Sequence, residues 1–122
     1  MSPTTFVGPP LPEQLTQGPL TLGGFVQQVT SRHAHREALV FDDPLRDGET
    51  VRWSYAELGR HADEIGRALV ADGLEPGGRA AVMMGNRPEF VAALFGIARA
   101  GGVVVPVSTF STQQELEAML AE

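Results

Sequence analysis

The chain contains no cysteine. Disulfides, thiolate nucleophiles and cysteine-ligated zinc are excluded together, and with them any disulfide-stapled secreted scaffold. It contains no lysine either: all nine basic residues are arginine. Schiff-base chemistry and the phosphate loop ending in Gly-Lys-Ser/Thr both need the lysine amine, so the N-terminus is the only amine on offer. Basic residues are in deficit, 9 against 15 acidic, for a formal charge of −6. Nonspecific attraction to nucleic acid or to an anionic membrane is therefore disfavoured. No apolar run approaches the ~20 residues of a membrane span. The opening MSPTTFVGPPLPEQLTQGP lacks both the basic start and the apolar stretch of a signal peptide. A cytoplasmic protein with no transmembrane segment and no nucleic-acid partner is expected. Its 122 residues fit about one domain.

The patterning organises the chain around residues 79–107. Residues 79–84 form a nearly unbroken apolar run, as expected of a strand covered on both faces. Gly85-Asn86-Arg87-Pro88-Glu89 then turns the chain, with Asn86 as cap, Pro88 presetting φ and Glu89 placing a carboxylate in the first helical turn. Val91, Leu94, Phe95 and Ala98 follow at helical spacing. Gly101-Gly102 supplies the left-handed residue that ends the helix, and Val103-Val104-Val105 opens a second strand limited by Pro106. The reading is a right-handed βαβ unit with parallel strands.

Before this unit, residues 1–20 carry Pro3, Pro9, Pro10, Pro12 and Pro19 and read as an extended arm. Thr21 caps a helix with Leu22, Phe25, Val26 and Val29 on one face, weakened by Gly23 and Gly24. Strands over residues 38–41 and 50–53 form a hairpin joined by a loose polar loop. Ser54 and Glu57 make a capping box for a helix with Leu58, Ala62, Ile65 and Leu69 on one side, closed by Asp72-Gly73. After Val107, Thr112 and Glu115 make a second capping box, and Leu116, Met119 and Leu120 form an apolar stripe. A parallel strand followed by an amphipathic helix normally feeds another strand, so the chain reads as the front part of a larger α/β protein, a short helix at a natural terminus being the alternative.

Several residues invite a chemical reading. His33 and His35 stand beside Arg36, but residues two apart face different ways on a helix and no third ligand has suitable spacing, so a solvated helix end is the simpler account. His61 reads as a surface or packing residue. Asp42, Asp43, Asp47 and Glu49 only superficially resemble a calcium loop, because Pro44 and Leu45 stand where oxygen donors are needed. The glycine pairs give no G-x-G-x-x-G after a strand and read as breakers and turns. Ser108-Thr109-Phe110-Ser111-Thr112 follows a strand at its carboxyl end, where open α/β sheets place ligands, but its hydroxyls also serve simply to lead into the Thr112 cap. Met83 and Met84 are expected in the core. Composition and spacing assemble no catalytic, cofactor-binding or metal-binding set.

The order of motifs nevertheless resembles a family. Ser54-Tyr55-Ala56-Glu57-Leu58 is similar to the first core motif of the AMP-forming adenylating enzymes, which include acyl-CoA synthetases, peptide-synthetase adenylation domains and luciferases. The turn and strand from Gly73 to Val82, the segment Asn86-Arg87-Pro88-Glu89-Phe90, the run from Ala98 to Val107 and Glu115-Leu116 resemble successive family motifs, in family order. Two positions depart: Gly78 stands where Asp is usual, and Ser108 where Asn often follows the proline. The resemblance implies an α/β fold, namely a partial N-terminal subdomain over residues 21–122 behind the arm of residues 1–20. It also implies a parent protein that uses ATP, Mg2+ and CoA to convert a carboxylic acid, a fatty acid or a relative of one, first to an acyl-adenylate and then to a thioester. The ATP loop, the ribose-binding Asp and the catalytic Lys of that family are absent before Glu122, so this chain alone is expected to be inactive and without cofactors. It is expected to self-associate or to pack on the remainder of the parent. The alternatives are a non-catalytic module that binds itself or a partner, and a small nucleotide binder, the latter disfavoured by the lack of a phosphate cradle.

Overall fold

A computed structural model describes residues 21–121. The expected arm, residues 1–20, lies outside the described residues. Helix α1 (Leu22–Arg32) opens on Thr21, whose Oγ1 accepts from the Gly24 N–H at 3.1 Å. Strands β1 (Glu37–Asp43) and β2 (Glu49–Ser54) pair antiparallel, with Phe41 opposite Val51 and Leu39 opposite Trp53. Helix α2 (Tyr55–Ala71) follows, closed at its start by the Ser54–Glu57 capping box. Strand β3 (Arg79–Val82), helix α3 (Pro88–Arg99) and strand β4 (Val103–Pro106) form the βαβ unit, with β3 and β4 parallel and Arg79 in register with Val103. Helix α4 (Gln113–Leu120) ends the described chain behind its own Thr112–Glu115 capping box.

The core lies between the helices and one face of the β3–β4 sheet. Val82, Ala93 and Ile97 are buried together, with Ile65, Leu69, Ala80, Phe90 and Val104 packed around them. What brings α2 and α3 this close is the absence of side chains. A Cβ on Gly96 would meet the Ala62 carbonyl oxygen at 2.6 Å, and one on Gly66 would meet the Gly96 carbonyl oxygen at 2.8 Å. Both obstacles are backbone, so the helices approach along a seam that only glycine permits. Asp63 fastens the far end of the seam through a 2.7 Å ion pair with Arg99. At the C-terminal end of α3, Gly101 takes a left-handed φ of 79°, and Gly102 N–H returns to the Ile97 carbonyl at 2.9 Å.

Several expectations are corrected by these contacts. The strand expected over 79–84 ends at Val82, and it is covered on one face only: Arg79 and Ala81 are exposed. Met83 and Met84 therefore leave the core and are 53% and 36% exposed. Asn86 does not cap α3. Arg87 occupies the N-cap position without a side-chain cap bond, while Pro88 and Glu89 stand in the first turn as expected. The most buried face of α3 is Ala92, Ala93, Gly96 and Ile97 rather than Val91, Leu94, Phe95 and Ala98. Because α3 is apolar nearly all round, its sequence alone does not say which stripe goes deepest. In α1, Val26 and Thr30 are buried, while Leu22 and Phe25 stay half exposed. Gly23 is no breaker: it sits inside α1, where a Cβ would meet the Ala98 carbonyl oxygen at 2.8 Å.

Candidate functional site

The carboxyl ends of β3 and β4 lie side by side, since Val107 N–H donates to the Val82 carbonyl at 2.9 Å just beyond the paired strands. The loops that leave them, residues 83–87 and 107–111, occupy the edge at which open α/β sheets bind ligands. The β3 loop is pinned by its last residue. Arg87 reaches back to Asp43 at the end of β1 with two hydrogen bonds, Nη1 to Oδ1 at 3.2 Å and Nη2 to Oδ2 at 2.8 Å. Its guanidinium also lies 5.3 Å from the centre of the Phe41 ring, and its Nε is 3.4 Å from Glu89. Asp43 is 1% exposed. Its carboxyl is held below the ordinary carboxylate range, chiefly by the Arg87 hydrogen bond and then by the Leu45 N–H, which donates to Oδ1 at 2.9 Å. Arg87 is correspondingly pushed above its ordinary value, first by the same bond.

This pair corrects the loose hairpin loop. Asp43 is the cap of a short 3-10 turn, Pro44–Arg46, and Asp47 and Gly48 then turn the chain with φ of 52° and 77°. Asp43 is therefore a buried clamp between the hairpin and the βαβ unit. Nothing in the sequence joined it to Arg87, 44 residues away. Asp42 bonds Thr50 across the hairpin at 2.7 Å.

The other candidates stay apart. His33 follows the end of α1, its ring 6.0 Å from that of Tyr55, and His35 is exposed. His61 stacks on Trp53 with ring centres 4.2 Å apart and lies 3.6 Å from Glu64, a packing arrangement. Among the described residues, no group of three or more His, Asp or Glu could hold a metal ion. Thr112 takes the capping role, its Oγ1 accepting from the Glu115 N–H at 3.3 Å, and Ser108 Oγ accepts from the Phe110 N–H at 3.2 Å. Phe110 itself is 94% exposed. On the side of the sheet away from α3 runs an open groove of about 910 Å³, in which Ala81, Met83, Val105 and Val107 face the α4 residues Leu116 and Met119. Among the described residues no helix is long and apolar enough to cross a membrane.

The sequence family described as AMP-binding enzyme matches residues 25–122. An acyl-CoA ligase of Ajellomyces capsulatus, SID4, is 31% identical over 90% of this chain. The N-terminal domain of FACL13 from Mycobacterium tuberculosis superposes with a TM-score of 0.71 over 82% of the chain at 29% identity. A nonribosomal peptide synthetase, FmoA3, bound to alpha-methyl-L-serine-AMP, gives a TM-score of 0.72 over 84% of the chain at 30% identity. This chain spans 18% of the first of these proteins, 24% of the second and 11% of the third. The match covers the hairpin, the βαβ unit and the last helix together, and the architecture is the α/β fold of the N-terminal subdomain of adenylating enzymes. On both sequence and fold, the chain belongs to the AMP-binding enzyme family.

Proposed function

We propose that this chain is the N-terminal scaffold of an AMP-forming acyl-CoA synthetase that acts on a fatty or related carboxylic acid in the cytoplasm, with residues 1–20 as an arm and 21–122 as an incomplete subdomain. The observation that supports this reading is the 31% identity to an acyl-CoA ligase over 90% of the chain. In the reaction proposed for the whole protein, a carboxylate oxygen attacks the α-phosphorus of ATP to give acyl-adenylate and pyrophosphate. The thiol of CoA then takes the acyl group and AMP leaves.

The residues described here do not fit ATP, Mg2+ or CoA. They offer no lysine, no carboxylate cluster able to hold a cation and no glycine-rich phosphate cradle, so no step is assigned to them. Their contribution is positional. The Gly66–Gly96 seam fixes α3 against α2, and the Arg87–Asp43 clamp fixes the loop at the carboxyl edge of the sheet. Positioning of this kind carries much of the rate enhancement when the chemistry depends on alignment.

The test is ATP–pyrophosphate exchange with fatty acids and, separately, amino acids. The 122-residue chain is expected to be silent, and a longer polypeptide that continues past Glu122 is expected to exchange with fatty acids and to form a CoA thioester. Exchange by the 122-residue chain itself, or exchange in the longer polypeptide only with amino acids, would overturn the reading. A second reading, a non-catalytic module that buries its exposed surface by association, is favoured by the open apolar groove. It requires the chain to sediment as a concentration-dependent oligomer.

A further inference from the structure

The buried carboxylate of Asp43 serves two parts of the molecule at once. On one side it builds the tip of the β1–β2 hairpin. Oδ1 accepts from the Leu45 N–H at 2.9 Å, Arg46 Nε lies 3.8 Å from Oδ2, and the Asp43 carbonyl accepts from the Gly48 N–H at 2.9 Å. On the other side it holds Arg87, whose Nη1 donates to that same Oδ1 at 3.2 Å and whose Nη2 donates to Oδ2 at 2.8 Å. The tip turn and the loop between β3 and α3 therefore meet on one oxygen.

Packing does little to fix that loop. Residues 83–86 are all exposed, and a Cβ on Gly85 would touch nothing within 4 Å. Burial resumes only at Pro88. The loop is thus strung between Val82 in the core and Arg87 on its carboxylate.

We propose that Asp43 is a positioning residue for the carboxyl edge of the β3–β4 sheet, holding residues 83–87 through Arg87, and that it does so only while the hairpin tip keeps its 3-10 turn. The reason is the plane of the carboxylate. The terminal torsion of an aspartate is soft, whereas two parallel bonds to a planar guanidinium require one orientation. The Leu45 N–H supplies that orientation from the tip. With the carboxylate almost wholly buried, water cannot stand in for a donor that is lost. A change at the tip is therefore passed to the edge loop through one side chain. That this edge borders the reacting groups rests on the acyl-CoA synthetase reading; the coupling of tip to loop does not.

Nitrogen-15 relaxation of the 122-residue chain tests the coupling. The amides of residues 83–87 should be rigid, with order parameters near about 0.85. Leu45→Pro removes the tip donor and pushes the residue before it out of the helical region, while Asp43 and Arg87 stay as they are. The Leu45 side chain is 82% exposed, so its own packing is not at stake. The variant should bring the loop's order parameters below about 0.6. Asp43→Asn keeps a capping oxygen for the tip but loses the charge, and should loosen residues 83–87 with residues 44–48 still ordered. Arg52→Ala, in the body of the hairpin, should leave the loop unchanged. Should Leu45→Pro unfold the chain, Gly48→Ala, strained at a φ of 77°, perturbs the same tip and is read in the same way. A loop already flexible in the unaltered chain, or one that stays rigid when the tip is broken, overturns the proposal.

In the polypeptide that continues past Glu122, the tip variant should lower kcat per folded molecule for ATP–pyrophosphate exchange on the order of tenfold to a hundredfold, and KM far less. No exchange by the unaltered longer polypeptide would overturn the synthetase reading and not the coupling. A loosened loop with kcat unchanged would overturn the positioning role and leave that reading standing.

Discussion

Arg87 and Asp43 are held together by two hydrogen bonds of 3.2 and 2.8 Å, across 44 residues of chain and with the carboxylate almost wholly buried. The pair joins the β1–β2 hairpin to the first turn of α3, two parts that share few other contacts. Such a pair is costly to break: loss of Arg87 would leave a buried carboxylate without its cation, and loss of Asp43 would remove both hydrogen bonds that tie Arg87 to the hairpin and the acceptor of the Leu45 N–H.

Asp43→Ala should lower the urea midpoint clearly more than Arg52→Ala does. Arg52 also makes a 2.7 Å ion pair, with Glu37, but both of its side chains are more than half exposed, and surface pairs of that kind contribute little. Asp43→Ala combined with Arg87→Leu should recover part of the loss. Equal midpoints for the Asp43 and Arg52 variants would remove the clamp from the account.

Gly96→Ala should destabilise the chain by roughly 1–3 kcal/mol. Alanine is the better helix former by about 1 kcal/mol, yet its Cβ would lie 2.6 Å from the Ala62 carbonyl oxygen, a backbone atom that cannot turn away. Gly85→Ala is the control, with nothing within 4 Å of the added carbon and an expected change within about 0.5 kcal/mol. Urea unfolding of the two variants distinguishes a close-packed seam from a general dislike of larger residues.

Acid should destabilise the fold, in a sense fixed by three carboxylates. Asp43 is held below its ordinary range chiefly by Arg87, Glu57 by the Ser54 N–H and then its hydroxyl, and Glu115 likewise by Thr112. A depressed carboxyl binds fewer protons folded than unfolded, so its stabilisation is complete above the unfolded value and is lost as pH falls through the folded one. Unfolding midpoints should be level, as far as these groups are concerned, above about pH 5 and should drop below about pH 4. Asp43→Asn should shallow that drop; an acid side unchanged by the substitution would assign it to other groups.

The two capping boxes should behave differently when broken. Ser54→Ala should cost about 1 kcal/mol of global stability, because α2 buries Leu58, Gly59, Ala62 and Gly66 and cannot loosen alone. Thr112→Ala removes the same kind of bond from α4, which buries nothing. Its effect should appear as faster hydrogen exchange confined to residues 113–120, with the global midpoint unmoved. A shift of the global midpoint would show that α4 is packed into the cooperative unit.

The chain's local grammar was readable from neighbouring residues. Thr21, Ser54 with Glu57, Pro88 and Thr112 with Glu115 mark the helix starts, Gly101 marks the helix end, and the family follows from motifs in order. These features depend on contacts three or four residues apart, which spacing records directly. What spacing does not record is which side of an element meets which neighbour. Met83 and Met84 look like core because they are apolar, yet one face of β3 has no cover among the described residues. α3 is apolar on nearly every side, so its deepest stripe is set by where Gly66 and Ala62 permit approach.

By itself, then, the sequence determined the order and kind of the helices and strands, the parallel βαβ unit and the absence of lysine and thiol chemistry, because each rests on residue identity and short-range geometry. Only the tertiary structure decided that Asp43 is buried against Arg87, that Gly96 is a contact rather than a weakness in its helix, and that the outer sheet face is uncovered among the described residues. Those outcomes depend on which surfaces meet across many residues, and the packing of one surface on another is a property of the whole fold.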